Sequence, residues 1–207
     1  FAILLFVISV QQAIVSTPLA VLLVEKKEHE KKKYAGSLCF GQFIIIIPVV
    51  CLALAAIALL SFGKLNSEQA WVSASVCFAV IGLILREFLR SYLFAEEKPL
   101  MVFKIDAAYI FLVLSLVILT YLFLKISVAA IFIITGINGI VIGLFFGGKQ
   151  GWYYTEESVK KSYRENWRYG KWALFGGLVT YLSNYSYLYL LGAESHRING
   201  ARLRVQP

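Results

Sequence analysis

Apolar residues fall into six long blocks along the chain, at residues 1–24, 37–62, 70–95, 100–124, 126–146 and 169–192. Each block is long enough to cross a hydrocarbon core of about 30 Å as a helix. The runs are uninterrupted, whereas barrel strands would alternate apolar and polar positions over about ten residues. In lipid the backbone must satisfy its own hydrogen bonds, so continuous apolar runs of this length predict helices. The pattern therefore predicts an all-α integral membrane protein, a polytopic bundle with six transmembrane helices. Between the blocks, residues 25–34 (EKKEHEKKKY) read as a polar loop, 63–69 and 96–99 as short links, and 147–168 as a longer polar stretch. Residues 193–207 read as a polar, basic tail.

Within the longer stretch, 155–169 (TEESVKKSYRENWRY) predicts a short helix. Thr155 can cap it, and Glu156 and Glu157 suit the positive end of its dipole. Val159, Tyr163 and Trp167 share one stripe, with Lys160, Lys161, Arg164 and Arg168 over much of the remaining surface. That arrangement fits a linker lying on anionic inner-leaflet lipids. It equally fits a solvated helix with a few stem contacts.

Composition agrees with the blocks. The chain is 59% hydrophobic with a mean hydropathy of +0.74, against about 45–50% apolar for a soluble domain. The net charge of +8 does not point to nucleic acid, because the basic residues flank the apolar blocks. With the chain threaded through six spans, one side receives 15 of the 20 lysines and arginines. Three of the five on the other side lie in the tail, so the first side is expected to be cytoplasmic. The first span then enters from outside, which predicts one further helix ahead of it. The chain starts at Phe1 without an initiator Met, inside an apolar block, and we read it as a fragment. That block has neither a basic flank nor a small-residue cleavage site, unlike a signal peptide. Cys39, Cys51 and Cys77 lie in apolar runs and read as packing residues.

No Walker loop, nucleophile elbow or HExxH is present, so no enzymatic activity is expected. No cofactor is expected either. His29 and His196 stand in loops beside charged residues and read as solvated. The letters Asn184-Tyr185-Ser186 match a glycosylation sequon inside a span, where no glycan can be attached. The strongest candidate chemistry is Arg86-Glu87-Phe88-Leu89-Arg90 in the third block. The two arginines share a helix face, and Glu87 can pair with Arg90 at i+3. Charge at membrane depth is costly and usually faces a cavity or a partner. Arginine forks toward a water-filled cavity would bind phosphate or diphosphate bidentately; alternatively, each arginine snorkels to the surface. Tyr181, Asn184 and Tyr185 cluster in the last block, where aromatic faces and an amide suit sugar rings, although an interfacial aromatic belt also explains them. Gln11 and Gln12 lie at mid-membrane and face either a polar lumen or a neighbouring helix. Gly139, Gly143 and Gly147 repeat at GxxxG spacing and read as close helix packing. Asp106, beside Lys104, reads as structural.

The chain resembles the polysaccharide and lipid-linked oligosaccharide flippases of the multidrug/oligosaccharidyl-lipid/polysaccharide exporter superfamily. Four features carry the resemblance: Gln11-Gln12 with Thr17-Pro18-Leu19 in the first span; Arg86 to Phe94 (REFLRSYLF); Asn166 to Trp172 (NWRYGKW); and Ile198 to Leu203 (INGARL) with Pro207. None is a rigorous motif alone, but their order covers nearly the whole chain. The resemblance implies a fragment of a transporter with 12 to 14 helices in two lobes around a central cavity. Residues 1–146 would be helices two to six of the first lobe, 147–168 a cytoplasmic amphipathic linker, and 169–207 the first helix of the second lobe with the start of the next.

The resulting expectation is a multi-pass protein of the bacterial inner membrane that moves an undecaprenyl-diphosphate-linked oligosaccharide for surface polysaccharide synthesis. Arg86 and Arg90 would meet the diphosphate; Gln12, Tyr181, Asn184 and Tyr185 would line the sugar path. The alternatives are a cation-coupled multidrug exporter of the same superfamily, against which the scarcity of buried carboxylates counts, and a membrane glycosyltransferase or polysaccharide polymerase, which would need a catalytic external loop where the complete external loops here are only a few residues long.

Overall fold

A computed structural model describes the backbone of residues 2–61, 66–124 and 126–203, and the side chains of 6–60, 66–124, 126–180 and 182–183. The described backbone is helical apart from short turns. The helices are α1 (Ala2–Gln11), α2 (Thr17–Val24), α3 (Glu28–Ser61), α4 (Ser67–Ala95), α5 (Pro99–Phe123), α6 (Val128–Gly148) and α7 (Glu156–Leu203). A π-helical turn, Gln12–Ser16, joins α1 to α2, so together they make one span. Five helices are long and apolar enough to cross a membrane: Phe6–Val24, Glu28–Leu60, Ser67–Ala95, Pro99–Phe123 and Val128–Gly148. The protein is an all-α membrane bundle. The sixth expected span, 169–192, is helical throughout as part of α7, but much of it lies outside the described side chains.

Two boundaries differ from expectation. The polar stretch 25–34 is mostly not a loop, because α3 starts at Glu28 and only a tight turn separates it from α2. Charged residues with good helix propensity extend an apolar helix past the membrane edge without breaking it. Glu28 and Glu30 sit in its first turn, where the helix dipole favours them. Likewise 155–169 is not a separate linker helix. It continues without a break into the expected sixth span as α7. Hydropathy marks where the solvent changes; it does not stop a hydrogen-bond ladder.

The core lies toward the end of the bundle that carries the basic loops. Leu19, Leu23, Leu38, Phe88, Leu89, Leu93 and Ile105 are fully buried there, drawn from α2, α3, α4 and α5. The tightest seam joins α4 to α6. A Cβ on Gly82 would clash with the Gly136 carbonyl, one on Gly139 with the Gly82 backbone, and one on Gly143 with the Leu85 side chain. Close backbone approach of this kind is how helices associate in lipid, where burying apolar area gives no driving force. The expected packing role of Gly139 and Gly143 is thus seen directly, and Gly147 lies against the Trp152 ring. By contrast, the second half of α3 presents Ile44, Val49, Leu52 and Leu59 outward.

Candidate functional site

The turn between α4 and α5 sets the first site. It is closed by Glu97 with φ of 55°, a left-handed conformation that reverses the chain within three residues. Because α4 and α5 then run antiparallel, residues at equal distance from the turn lie at equal depth. Arg86 and Asp106 stand roughly ten residues on either side of it, or about 15 Å along each helix. Arg86 donates from Nη2 to an Asp106 carboxylate oxygen at 2.7 Å. Arg90 Nε lies 3.1 Å from both Asp106 oxygens, and its Nη1 donates to Glu87 at 2.9 and 3.1 Å. From the first span, the Gln12 amide donates to Glu87 at 3.3 Å. The Arg86 guanidinium also stacks on the Tyr109 ring, 3.9 Å from its centroid.

This cluster holds two cations and two anions. Its side chains retain 17–27% exposure, so it is neither sealed in the core nor free in solvent. Removing one member of such a group would leave its partners uncompensated, at about 3 kcal/mol or more when fully buried and less here. Arg86 is not a free cation. Its Nη2 is held by Asp106, while its Nε is buried with no hydrogen-bond partner among the described residues. The cluster can hold an anion only where an incoming oxygen reaches Nε or replaces the Asp106 carboxylate.

Three of the six sequence candidates, Gln12, Arg86 and Arg90, therefore come together. Tyr181, Asn184 and Tyr185 lie outside the residues whose side chains are described. Gln11 turns away from the cluster: it is buried and its amide donates to Ser16 at 3.2 Å and to Gln42 of α3 at 3.4 Å. Sequence reasoning did not anticipate that Asp106 bridges both arginines. The i+3 spacing of Glu87 and Arg90 was readable; the contact with α5 depends on the register of the turn.

A second arrangement links α7 to the first span. Pro18 has no N–H, so the turn before it is short of one donor. The chain widens there into the π turn, in which the Thr17 N–H bonds to the Gln12 carbonyl. Such turns are frequent at functional sites. Asn166, fully buried on α7, supplies donors from outside: its Nδ2 bonds to the Ile14 and Val15 carbonyls at 3.2 and 3.4 Å. Its Oδ1 accepts from the Tyr34 hydroxyl of α3. One turn on, Gly170 lets α7 approach so closely that an added Cβ would lie 3.1 Å from Ile14 Cα.

Ser158, Ser162, Asn166 and Gly170 fall every fourth residue and form one small, polar ridge against the bundle. Ser158 Oγ is 2.6 Å from Ser37 Oγ. Tyr163 packs on Gly41 and donates to the Leu38 carbonyl at 3.2 Å, and burial there pushes its phenol pKa upward. The expected Val159–Tyr163–Trp167 stripe is thus only partly a packing face. Trp167 is 53% exposed, whereas the ridge that docks is the small polar one beside it. The available signal was the i, i+4 repeat of small residues, a packing signature in membranes. No metal-binding group of three or more His, Cys, Asp or Glu occurs among the described residues. Comparison with family models, with curated proteins and with solved structures finds no match to this chain.

Proposed function

We propose that this chain forms most of one lobe of a flippase that moves an undecaprenyl-diphosphate-linked oligosaccharide across the bacterial inner membrane by alternating access. The observation that carries the reading is the pair of guanidiniums at membrane depth on α4, one of them with an unpartnered Nε. A diphosphate needs fixed cations inside a low-dielectric path, and the planar arginine fork matches its oxygens. In this reading Asp106 holds Arg86 and Arg90 in place until substrate arrives, and phosphate oxygens then replace its carboxylate. Gln12 sits beside the cluster, and Tyr181, Asn184 and Tyr185 would line the sugar path from the far half of α7. The excess of basic residues on one set of loops supports a cytoplasmic placement for that end. The Asn166 contact with the proline turn supports alternating access, because it gives α7 and the first span a shared joint.

Replacement of Arg86 by Ala in the full-length protein tests this reading. Surface polysaccharide should be lost while expression and membrane insertion stay normal, and Arg86→Lys should retain part of it. Undiminished polysaccharide with Arg86→Ala would remove the arginine from the mechanism. A second reading is favoured by one observation: Glu87 and Asp106 place two carboxylates in the same cluster, as a cation-coupled exporter of the superfamily would require. A drug-efflux assay separates the two. Efflux that is abolished by Asp106→Asn, with polysaccharide intact, would select the exporter.

A further inference from the structure

A cavity of about 430 Å³ opens at the basic end of the bundle, between the start of α3 and the start of α7. It lies one turn beyond the Asn166 contact, and its walls come from both helices. Lys26, Lys33 and Lys161 line it together with Glu30, Glu157 and Glu165. Only one ion pair is made among these six, between Lys26 and Glu165 at 3.0 Å, and Lys26 also caps the Tyr34 ring at 4.4 Å. Lys33, Lys161, Glu30 and Glu157 have no ion pair among the described residues. Ser162, also in the lining, is 5% exposed, which sets a small polar side chain at the floor of the cavity.

We propose that this cavity binds a phosphoethanolamine group, with the phosphate on Lys33, Lys161 and the Ser162 hydroxyl, and the ammonium on Glu30 and Glu157. The balance of the lining decides the class. Three cations matched by three anions give no net field to attract a purely anionic headgroup, but they fit a ligand that carries both signs a few ångströms apart. The position fits as well, since the cavity sits where the apolar part of α3 gives way to its charged first turns, at headgroup level. Because both walls are needed, the ligand binds only while α7 is docked on α3, and its binding stabilises that docking. The inference stands independently of the transport reading.

The group could come from a membrane phospholipid or from a soluble metabolite, and one titration separates them. The intact chain in detergent is titrated with dihexanoyl-phosphatidylethanolamine, dihexanoyl-phosphatidylglycerol and O-phosphoethanolamine. The ethanolamine lipid should bind at least tenfold more tightly than the glycerol lipid. The K33Q/K161Q double variant should weaken it at least tenfold, and Ser162→Trp, which fills the cavity, should abolish it. Competition by O-phosphoethanolamine at equal concentration assigns a soluble ligand, and failure to compete assigns the lipid; either outcome upholds the site. Equal affinity for the two lipids, or binding unchanged by both variants, overturns it. The wild-type far-ultraviolet spectrum in each variant checks that the bundle is intact.

Discussion

The α4–α6 seam and the seam between α7 and the first span both rely on residues with little side chain, yet they hold in different ways. Along α4–α6, Gly82, Gly136 and Gly139 bring two backbones together and dispersion does the rest. Along α7, Ser158, Asn166 and Gly170 also permit approach, but each contact carries a hydrogen bond or faces the π-helical turn. The first seam is sensitive to volume and indifferent to polarity. The second is sensitive to donor placement, because Asn166 supplies what Pro18 withholds. A seam of the first kind suits a permanent contact. The second kind can part and re-form, since water or another donor can replace the amide when the helices separate.

The largest break in this comparison should come from Gly82→Leu, which has no room against the Gly136 carbonyl. Overpacking of this severity costs about 3 kcal/mol or more. Denaturation in mixed micelles should show a large drop in midpoint, and an unchanged midpoint would mean the seam is looser than described. Next is Asn166→Ala, which leaves Ile14, Val15 and Tyr34 groups unmatched and should cost about 2 kcal/mol. Pro18→Ala returns an N–H to the same turn, so the double variant should lose less than the sum of the single changes. Strict additivity would show that Asn166 does not serve the proline turn. Asn166→Asp sharpens the point, because it keeps the acceptor for Tyr34 and removes both donors.

Gly151→Ala should cost about 1 kcal/mol through backbone strain alone, since φ is +65° and no atom lies within 4 Å of an added Cβ. Thermal inactivation should shift slightly with no change in α7 cross-linking to α3. The smallest effect is expected for Ser37→Ala, which removes one interhelical hydroxyl contact worth about 0.6 kcal/mol. A loss as large as that of Asn166→Ala would mean the serine pair, not the amide, dominates the polar seam.

The spans were legible because lipid demands long apolar runs: the third, fourth and fifth lie within three residues of their expected limits, whereas the second begins nine residues early, at Glu28. Gly139 and Gly143 were legible for a related reason: small residues at fixed spacing have one common use in membranes. The start of α3 was not, because Glu28 to Lys33 look like a loop by hydropathy and a helix by propensity. The continuity of α7 was hidden in the same way. Asn166 was hidden more deeply. A polar residue amid lysines and glutamates reads as surface, and only the missing donor at Pro18, some 150 positions earlier, explains its burial. The union of Arg86 with Asp106 required the turn at Glu97 to fix a register that neither helix states alone.

That charge cluster also bears on how the protein is made. The deep third of α4 carries Arg86, Arg90 and Glu87, one positive charge in surplus, and α5 supplies the missing negative at Asp106. A lone arginine near the centre of a span opposes entry into the bilayer by about 2.5–3.5 kcal/mol on insertion scales. Released sideways into lipid by itself, α4 would meet that barrier; released together with α5, it enters already neutralised. The hairpin, not the single helix, is then the natural unit of membrane entry for this part of the chain.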